Sequence, residues 1–181
     1  MYSIGDYVVK VNDGVCRVEE LTHLEMSGVS HDKLYYLLVP VHNKGSRIFV
    51  PVESKAEELR FVMTPAEVNQ IMEKIPDMET EWIVNNKFRE QKYKEVLHEG
   101  NPECMVGYIK IMYEKRRERD AMGKKNTAID ERYLRLMEEA VYTEFAFSLD
   151  CEKAEIKGKI TICFYEINCM FRSTAPSIPF T

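Results

Sequence analysis

The stretch Met1-Tyr-Ser-Ile-Gly-Asp-Tyr-Val-Val-Lys-Val-Asn-Asp-Gly-Val-Cys-Arg-Val-Glu-Glu-Leu21 decides the fold of the first third of the chain. Apolar residues alternate with polar ones through Tyr7, Val9 and Val11, and an apolar pattern resumes after Asn12-Asp13-Gly14. Asn, Asp and Gly tolerate the positive φ that short hairpin turns require. The stretch therefore predicts two β-strands joined by a tight turn.

Further strands follow closely. Two apolar runs bounded by polar, turn-forming residues predict strands at 33–41 and 46–52, and a shorter strand is predicted at 59–62. Four or five short strands within about sixty residues predict a small, curled antiparallel sheet.

Four segments of this sheet resemble the amino-terminal module of the CarD family of bacterial transcription regulators: Ile4–Val9, Asp13–Val18, Tyr35–Val39 and Ile48–Val52. A related module occurs in the transcription-repair coupling factor. The resemblance implies a Tudor-like β-barrel that binds the β subunit of RNA polymerase along one exposed strand edge. Unpaired backbone groups on an edge strand suit such a contact.

Helical signals begin after the strands. Thr64-Pro65 with Glu67 has the pattern of a capping box with proline at the first helical position, and Pro76 ends this short helix. From Glu81 to Leu149 apolar residues recur at helical spacing. Gly100, Asn101-Pro102, Gly123 and a cap at Asn126 or Thr127 divide this part into three helices, the first at about 81–98. Because no single helix buries its own apolar stripe, the three predict a helical bundle.

Segments 92–100, 109–119 and 133–146 resemble the helical signatures of CarD-type proteins, so the resemblance covers about residues 2–149. The chain contains no Gly-x-x-x-x-Gly-Lys-[Ser/Thr] loop, which favours the free-standing CarD type over a coupling-factor translocase. The fold prediction is α+β, a small antiparallel β-barrel followed by an all-α bundle.

The predicted organisation has four parts. A polymerase-interacting β module spans 1–63, a short helix and linker span 64–80, a DNA-contacting helical bundle spans 81–149, and an extension of unknown role spans 150–181. Within the extension, residues 157–167 have a β-leaning composition, and residues 173–181 are rich in turn-forming residues.

Composition narrows the class of protein. The 181 residues are 45% hydrophobic and 30% charged, typical of a globular chain. No apolar run is long enough for a membrane span and no signal segment opens the chain, so we expect a cytoplasmic protein. We also expect a monomer. The five scattered cysteines and four histidines have no metal-ligand spacing and no catalytic motif is present. We therefore expect a non-enzymatic protein without cofactor or metal.

Positive charge is concentrated in the middle of the chain. The net charge is −5, yet residues 86–125 carry eleven Lys and Arg against seven Asp and Glu. In the CarD family a tryptophan near this point wedges against the minor groove at the upstream edge of melted promoter DNA, and the resemblance assigns that role to Trp82. Packing at a domain junction is the alternative. Beside it, Lys87, Arg89 and Lys92 are the predicted phosphate contacts.

A second basic group, residues 115–119 with Lys124 and Lys125, is interpreted as a solvated helix face because acidic residues alternate with it. In the sheet, two arginines that some family members use for polymerase contact align with Leu24 and Phe49. Arg47, on the same strand face as Phe49, replaces them or the contact is mostly apolar. The predicted polymerase-binding residues are therefore Leu24, Arg47 and Phe49.

These features predict a regulator that binds the polymerase β subunit, contacts promoter DNA without sequence specificity and stabilises the open complex. Two rivals remain. One is a protein–protein adaptor that uses its helix faces without DNA contact. The other is a small hydrolase, which requires a concave site with facing titratable groups.

Overall fold

A computed structural model of the chain describes residues 1–23, 33–53 and 59–172, with the backbone alone for 165–172. Five strands come first: β1 Tyr7–Lys10, β2 Gly14–His23, β3 Leu34–Pro40, β4 Ile48–Pro51 and β5 Leu59–Phe61. The helices follow: α1 Pro65–Lys74, a 3-10 turn Ile75–Asp77, α2 Asn86–Glu99, α3 Pro102–Ala121, α4 Ala128–Ser148 and α5 Lys153–Arg172.

The strands form one antiparallel sheet in the order β4-β3-β2-β1-β5. The predicted hairpin is present, and its turn uses the left-handed region at Asn12 (φ 71°) and Gly14 (φ 74°). A register shift between Val18 and Glu20 in β2 marks a bulge, which bends a strand and increases its twist. The α+β class and the short strand near residue 60 are confirmed.

The two edges of the sheet are β4 and β5. In the described residues these strands do not pair with each other, so the closed barrel implied by the resemblance is not shown. One face of the sheet encloses a small core of its own, formed by Val8, Cys16, Val18, Tyr36, Leu38, Val50 and Leu59. Tyr2 covers this core, because its hydroxyl donates to the Leu59 carbonyl at 2.7 Å.

The helix boundaries follow the capping residues. The Thr64–Glu67 capping box forms as predicted, Gly100 ends α2 at φ 64°, and Thr127 caps α4. The first bundle helix differs from its prediction, because it begins at Asn86 and not at Glu81. The Asn85 side chain accepts from two backbone N–H groups of the first turn, which fixes the start there and leaves the preceding residues extended.

A second, larger core joins all five helices. Val68, Ile71 and Ile75 from α1 and the 3-10 turn are buried beside residues of α2, α3 and α4. The short helix assigned to a linker region, 64–80, thus packs as part of the helical core. The amino-terminal sheet and the helical bundle have separate apolar cores that meet through β1, β2, β5 and α4.

The carboxy-terminal extension also packs on this bundle. The β-leaning interpretation of 157–167 was wrong, because the segment lies inside α5. Within α5 the apolar residues Ile156, Ile160 and Phe164 form one buried stripe at four-residue intervals. Tertiary burial of this stripe outweighs the weaker helix preference of Ile and Thr. Residues 173–181 lie outside the described residues.

Loss of the Ile160 side chain tests whether α5 is integral to the fold. Ile160 is fully buried, whereas Ile162, two residues further along α5 and on another face of the helix, is 56% exposed. We expect Ile160→Ala to lower the free energy of unfolding by about 2–5 kcal/mol, and Ile162→Ala to change it by less than about 0.5 kcal/mol. Urea unfolding followed by circular dichroism measures both. Equal effects of the two variants would contradict the packing of α5.

Candidate docking edge and nucleic-acid surface

Strand β4 forms one edge of the sheet. Of the predicted polymerase-binding residues, Phe49 lies in this strand and Arg47 directly precedes it. Phe49 is 41% exposed and lies opposite Leu37 of β3, while Val50 turns into the sheet core. Arg47 is exposed just before the strand. The structure therefore brings Arg47 and Phe49 together on an accessible edge. The third residue, Leu24, lies outside the described residues.

Trp82 lies on the extended segment between the 3-10 turn and α2, not inside a helix as predicted. We call residues 78–84 the Trp82 segment. Its amino-terminal end is held by Lys110 of α3, which is 7% exposed and donates from Nζ to the carbonyls of Pro76 (2.7 Å) and Met78 (2.8 Å). A buried lysine is costly unless its donors find acceptors, so this contact fixes the path of the segment across α3.

Close approach of the segment to α3 requires glycine at position 107. A Cβ atom built on Gly107 would lie 2.6 Å from Oγ1 of Thr80. Atoms at that separation overlap, so any larger residue forces Thr80 or the segment to shift. The requirement here is space, since the φ of Gly107 is not positive.

The carboxy-terminal end of the segment is held by Arg89. Its Nη1 donates to the carbonyls of Ile83 (2.7 Å) and Val84 (3.0 Å), and its Nη2 donates to Oδ1 of Asn86 at 2.8 Å. Nε and Nη2 together bind the carboxylate of Asp130 at 2.8 and 3.1 Å. All five N–H donors of the guanidinium group thus have acceptors, which is what an arginine with 2% exposure needs.

Asp130 is the common acceptor of a buried network. Besides Arg89, the hydroxyls of Tyr93 (3.1 Å) and Thr127 (2.6 Å) donate to its carboxylate. Burial opposes ionisation of Asp130, but the hydrogen bonds from Arg89, Thr127 and Tyr93 outweigh it and hold its pKa below the ordinary value. Burial and the facing carboxylate raise the pKa of Tyr93. The network therefore holds an ionised pair inside the bundle, where it joins α2 to the first turn of α4.

Arg89 is consequently not a phosphate contact. Its prediction as a DNA-binding residue was wrong because its guanidinium group is buried and bonded on every N–H. Its role is to position Trp82: the Arg89 Cζ atom lies 4.4 Å from the centre of the indole ring, in cation–π range.

Three basic residues of α3 lie on one side of Trp82, in a depression that Asp130 and Glu131 also line. A shallow depression beside the indole is lined by Lys115, Arg116 and Arg119 together with residues of the first turns of α4. These belong to the basic group that the sequence suggested was only a solvated face. The sequence shows that these basic residues are closely spaced. It does not show that the Trp82 segment passes over α3 and lies beside them.

The other two predicted DNA contacts lie on α2. Lys87 is exposed in its first turn, and Lys92 lies one turn further, 3.5 Å from a carboxylate oxygen of Glu95. Neither lines the depression beside Trp82. Two apolar neighbours of the tryptophan in sequence, Val84 and Phe88, are 84% and 63% exposed.

The histidine, cysteine and acidic side chains are the candidates for metal or thiol chemistry. No cluster of three or more His, Cys, Asp or Glu side chains there has the arrangement of a metal site. Cys16, Cys104 and Cys151 are free thiols, and burial raises the pKa of Cys16 to about 11. None of the helices described is long and apolar enough to cross a membrane.

Comparison with known proteins identifies the sheet. Residues 2–63 match the CarD-like/TRCF RID domain family. The resemblance of this module to the CarD family is thereby confirmed, and the family description indicates an RNA polymerase-interacting, transcription-related role. A search of curated proteins gave no significant match. The helices α1–α5 lie beyond the matched residues.

Two glycine-to-alanine variants test the placement of the Trp82 segment. Gly158 in α5 has no atom within 4 Å of an added Cβ, so Gly158→Ala should raise the free energy of unfolding by about 0.5–1 kcal/mol. Gly107→Ala should lose this gain, because the new methyl group displaces Thr80. Trp82 is the only tryptophan, so its fluorescence reports the segment directly.

We expect a shifted emission maximum for Gly107→Ala and an unchanged one for Gly158→Ala. Equal stabilisation of both variants with identical emission would contradict the close approach of Thr80 to α3.

Proposed function

We propose that this protein is a non-enzymatic transcription regulator that binds the β subunit of RNA polymerase through edge strand β4 and places its helical bundle on promoter DNA. The observation that carries the proposal is the CarD-like/TRCF RID match at residues 2–63, on a sheet whose β4 edge exposes Phe49. We also infer a Tudor-like character for the curled sheet, and a monomer that works in the bacterial cytoplasm with its polymerase.

Docking by an edge strand has a simple physical basis. An edge strand leaves backbone N–H and C=O groups unpaired, and a strand of the partner satisfies them by extending the sheet. Phe49 adds an exposed aromatic side chain at that edge, and aromatic residues are enriched at binding hot spots. Arg47 supplies a positive charge next to it.

On DNA, the proposed contact is Trp82 with the basic residues around it. A flat apolar ring fits the space where bases unstack, at the upstream edge of the melted region. Lys115, Arg116 and Arg119 lie beside the ring, and Lys87 and Lys92 extend the positive surface along α2. Contacts of this kind bind phosphates without reading sequence and weaken as salt rises.

Tethering reconciles DNA contact with a net charge of −5. Docking on polymerase makes the DNA contact intramolecular, and short tethers give effective concentrations in the millimolar range. A weak surface is then occupied while the open complex lasts, and its contacts stabilise that complex.

The adaptor alternative also has an observation in its favour. Val84 and Phe88 are largely exposed next to Trp82, and neighbouring exposed apolar residues mark protein-binding surfaces. In that case the same patch binds another protein and leaves DNA untouched.

Matched substitutions on the two edges of the sheet test the docking proposal. We expect the double variant Arg47→Asp/Phe49→Asp to lose capture of RNA polymerase by at least about tenfold, because charge replaces an interfacial aromatic. Phe61→Asp, on the opposite edge strand β5, should retain capture, since Phe61 is similarly exposed at 58%. The measurement is a pull-down from bacterial lysate with polymerase β-subunit detection. Equal capture by both variants would remove β4 as the docking edge.

Open-complex lifetime on a fork-junction promoter tests the DNA contact. Trp82→Ala should shorten the lifetime by about five- to fiftyfold, the range of about 1–2.3 kcal/mol expected for loss of one stacked aromatic contact. Trp82→Phe should retain part of the effect, and Phe61→Ala all of it. If Trp82→Ala binds polymerase normally and leaves the lifetime unchanged, the adaptor function replaces the one proposed.

A further inference from the structure

Arg60 of β5 reaches out of the sheet and binds the helical bundle. Its Nη1 and Nη2 donate to the two carboxylate oxygens of Glu144 in α4 at 2.5 and 2.6 Å, and its Nε donates to the carbonyl of Gly100 at the end of α2 at 3.3 Å. One side chain of the sheet module is thereby bonded to two helices. The paired geometry is the bidentate fork that makes arginine–carboxylate bonds strong and directional.

Glu144 depends on this contact. Its side chain is 3% exposed, whereas that of Arg60 is 31% exposed. The backbone N–H of Met63, in the connection between β5 and α1, also donates to Glu144 at 3.2 Å. The carboxylate therefore holds both the last strand of the sheet and the chain that leaves it. Arg60 can reach water without its partner, but Glu144 cannot.

Other contacts also join the sheet to the helices, and β2 packs on α4. Tyr7 of β1 contacts Phe147 of α4 with ring centres 4.8 Å apart, and Val11 in the hairpin turn lies against Gly100. Between these contacts lies a cleft of about 370 Å³, lined by the β1–β2 hairpin on one side and by α2 and α4 on the other. Arg60 and Glu144 also line this cleft, so their ion pair joins the sheet to α4 at its wall.

We infer that Arg60 and Glu144 are positioning residues that hold the polymerase-docking edge and the Trp82 surface in one fixed relation. This inference rests on the proposed function for its consequence in transcription. Binding of β4 to polymerase needs only the sheet. Action of Trp82 on DNA needs the bundle to sit at the right place on the docked sheet, since an effective concentration is high only where the tether geometry allows both contacts. Loss of the Arg60–Glu144 pair should therefore leave polymerase binding intact and remove the effect of Trp82 on the open complex.

Glu144→Gln is the sharper of two variants. It keeps the shape of the side chain and removes its charge, and the unpaired Arg60 remains partly solvated, so the fold should survive. Arg60→Ala leaves a buried carboxylate alone and is the more damaging change. Arg60→Lys keeps the charge but loses the fork, and should restore part of what Arg60→Ala loses. Arg17→Ala is the matched control, because Arg17 lies on β2 with a half-exposed side chain paired to Glu19.

Two transcription readouts should diverge. Polymerase capture by Glu144→Gln should equal that of the unmodified protein, whereas the gain in open-complex lifetime should be lost. Arg17→Ala should keep both. A merely structural defect would lower capture and lifetime together, in step with the melting temperature. Lifetimes equal to the unmodified protein in both Glu144→Gln and Arg60→Ala would overturn the inference.

A polymerase-free readout separates this inference from the proposed function. In Glu144→Gln, the Met63 amide should exchange its hydrogen faster, and small-angle X-ray scattering should show a larger radius of gyration, with Arg17→Ala unchanged. Absence of both changes overturns the inference even where polymerase binds. If the unmodified protein fails to bind polymerase, the proposed function falls, while the two solution measurements still decide whether Arg60 couples the modules.

Discussion

The buried contact between Arg89 and Asp130 is the constraint on which the bundle and its exposed tryptophan depend. The pair joins α2 to the cap of α4, binds the carbonyls that end the Trp82 segment and places a cation under the indole ring. Removing one partner of a buried pair costs about 3–5 kcal/mol because the other charge stays uncompensated. Each N–H of the Arg89 guanidinium group has an acceptor, so the orientation of the group is fixed. The indole of Trp82, which lies on this group, is thereby fixed as well.

A second ion pair, Arg60 with Glu144, has a different position and a different consequence. Arg89 lies within one core and orders a local segment, whereas Arg60 spans the cores of the sheet and of the helices, which also meet at the Tyr7–Phe147 contact, at the hairpin turn and between β2 and α4. In both pairs the acid comes from α4, and its partner brings a distant part of the chain to that helix. Helix α4 is thus the element against which both the sheet and the Trp82 segment are oriented.

The sequence predicted what local rules decide. The hairpin at Asn12–Gly14, the Thr64 capping box and the Gly100 cap depend on a few adjacent residues, and all three form as expected. Two predictions failed because they depended on which side chains the tertiary structure buries. Residues 157–167 have β-branched residues that favour strands locally, but their stripe is buried as a helix. In the sequence Arg89 cannot be distinguished from its exposed basic neighbours. Only the fold shows that it is bonded to the carboxylate of Asp130, forty-one positions away.

The burial of some cations changes how the positive charge of residues 86–125 is interpreted. Lys110 and Arg89 contribute to the basic character of residues 86–125, yet both are buried and serve to bind backbone carbonyls of the Trp82 segment. The charge of Arg89 is paired with Asp130 and therefore adds little to the field outside the molecule. The exposed basic residues are concentrated at the end of α3 and along α2. Lys110 and Arg89 therefore hold the backbone of the Trp82 segment, whereas Lys115, Arg116 and Arg119 lie beside the ring, a difference that the charge pattern of the sequence alone does not show.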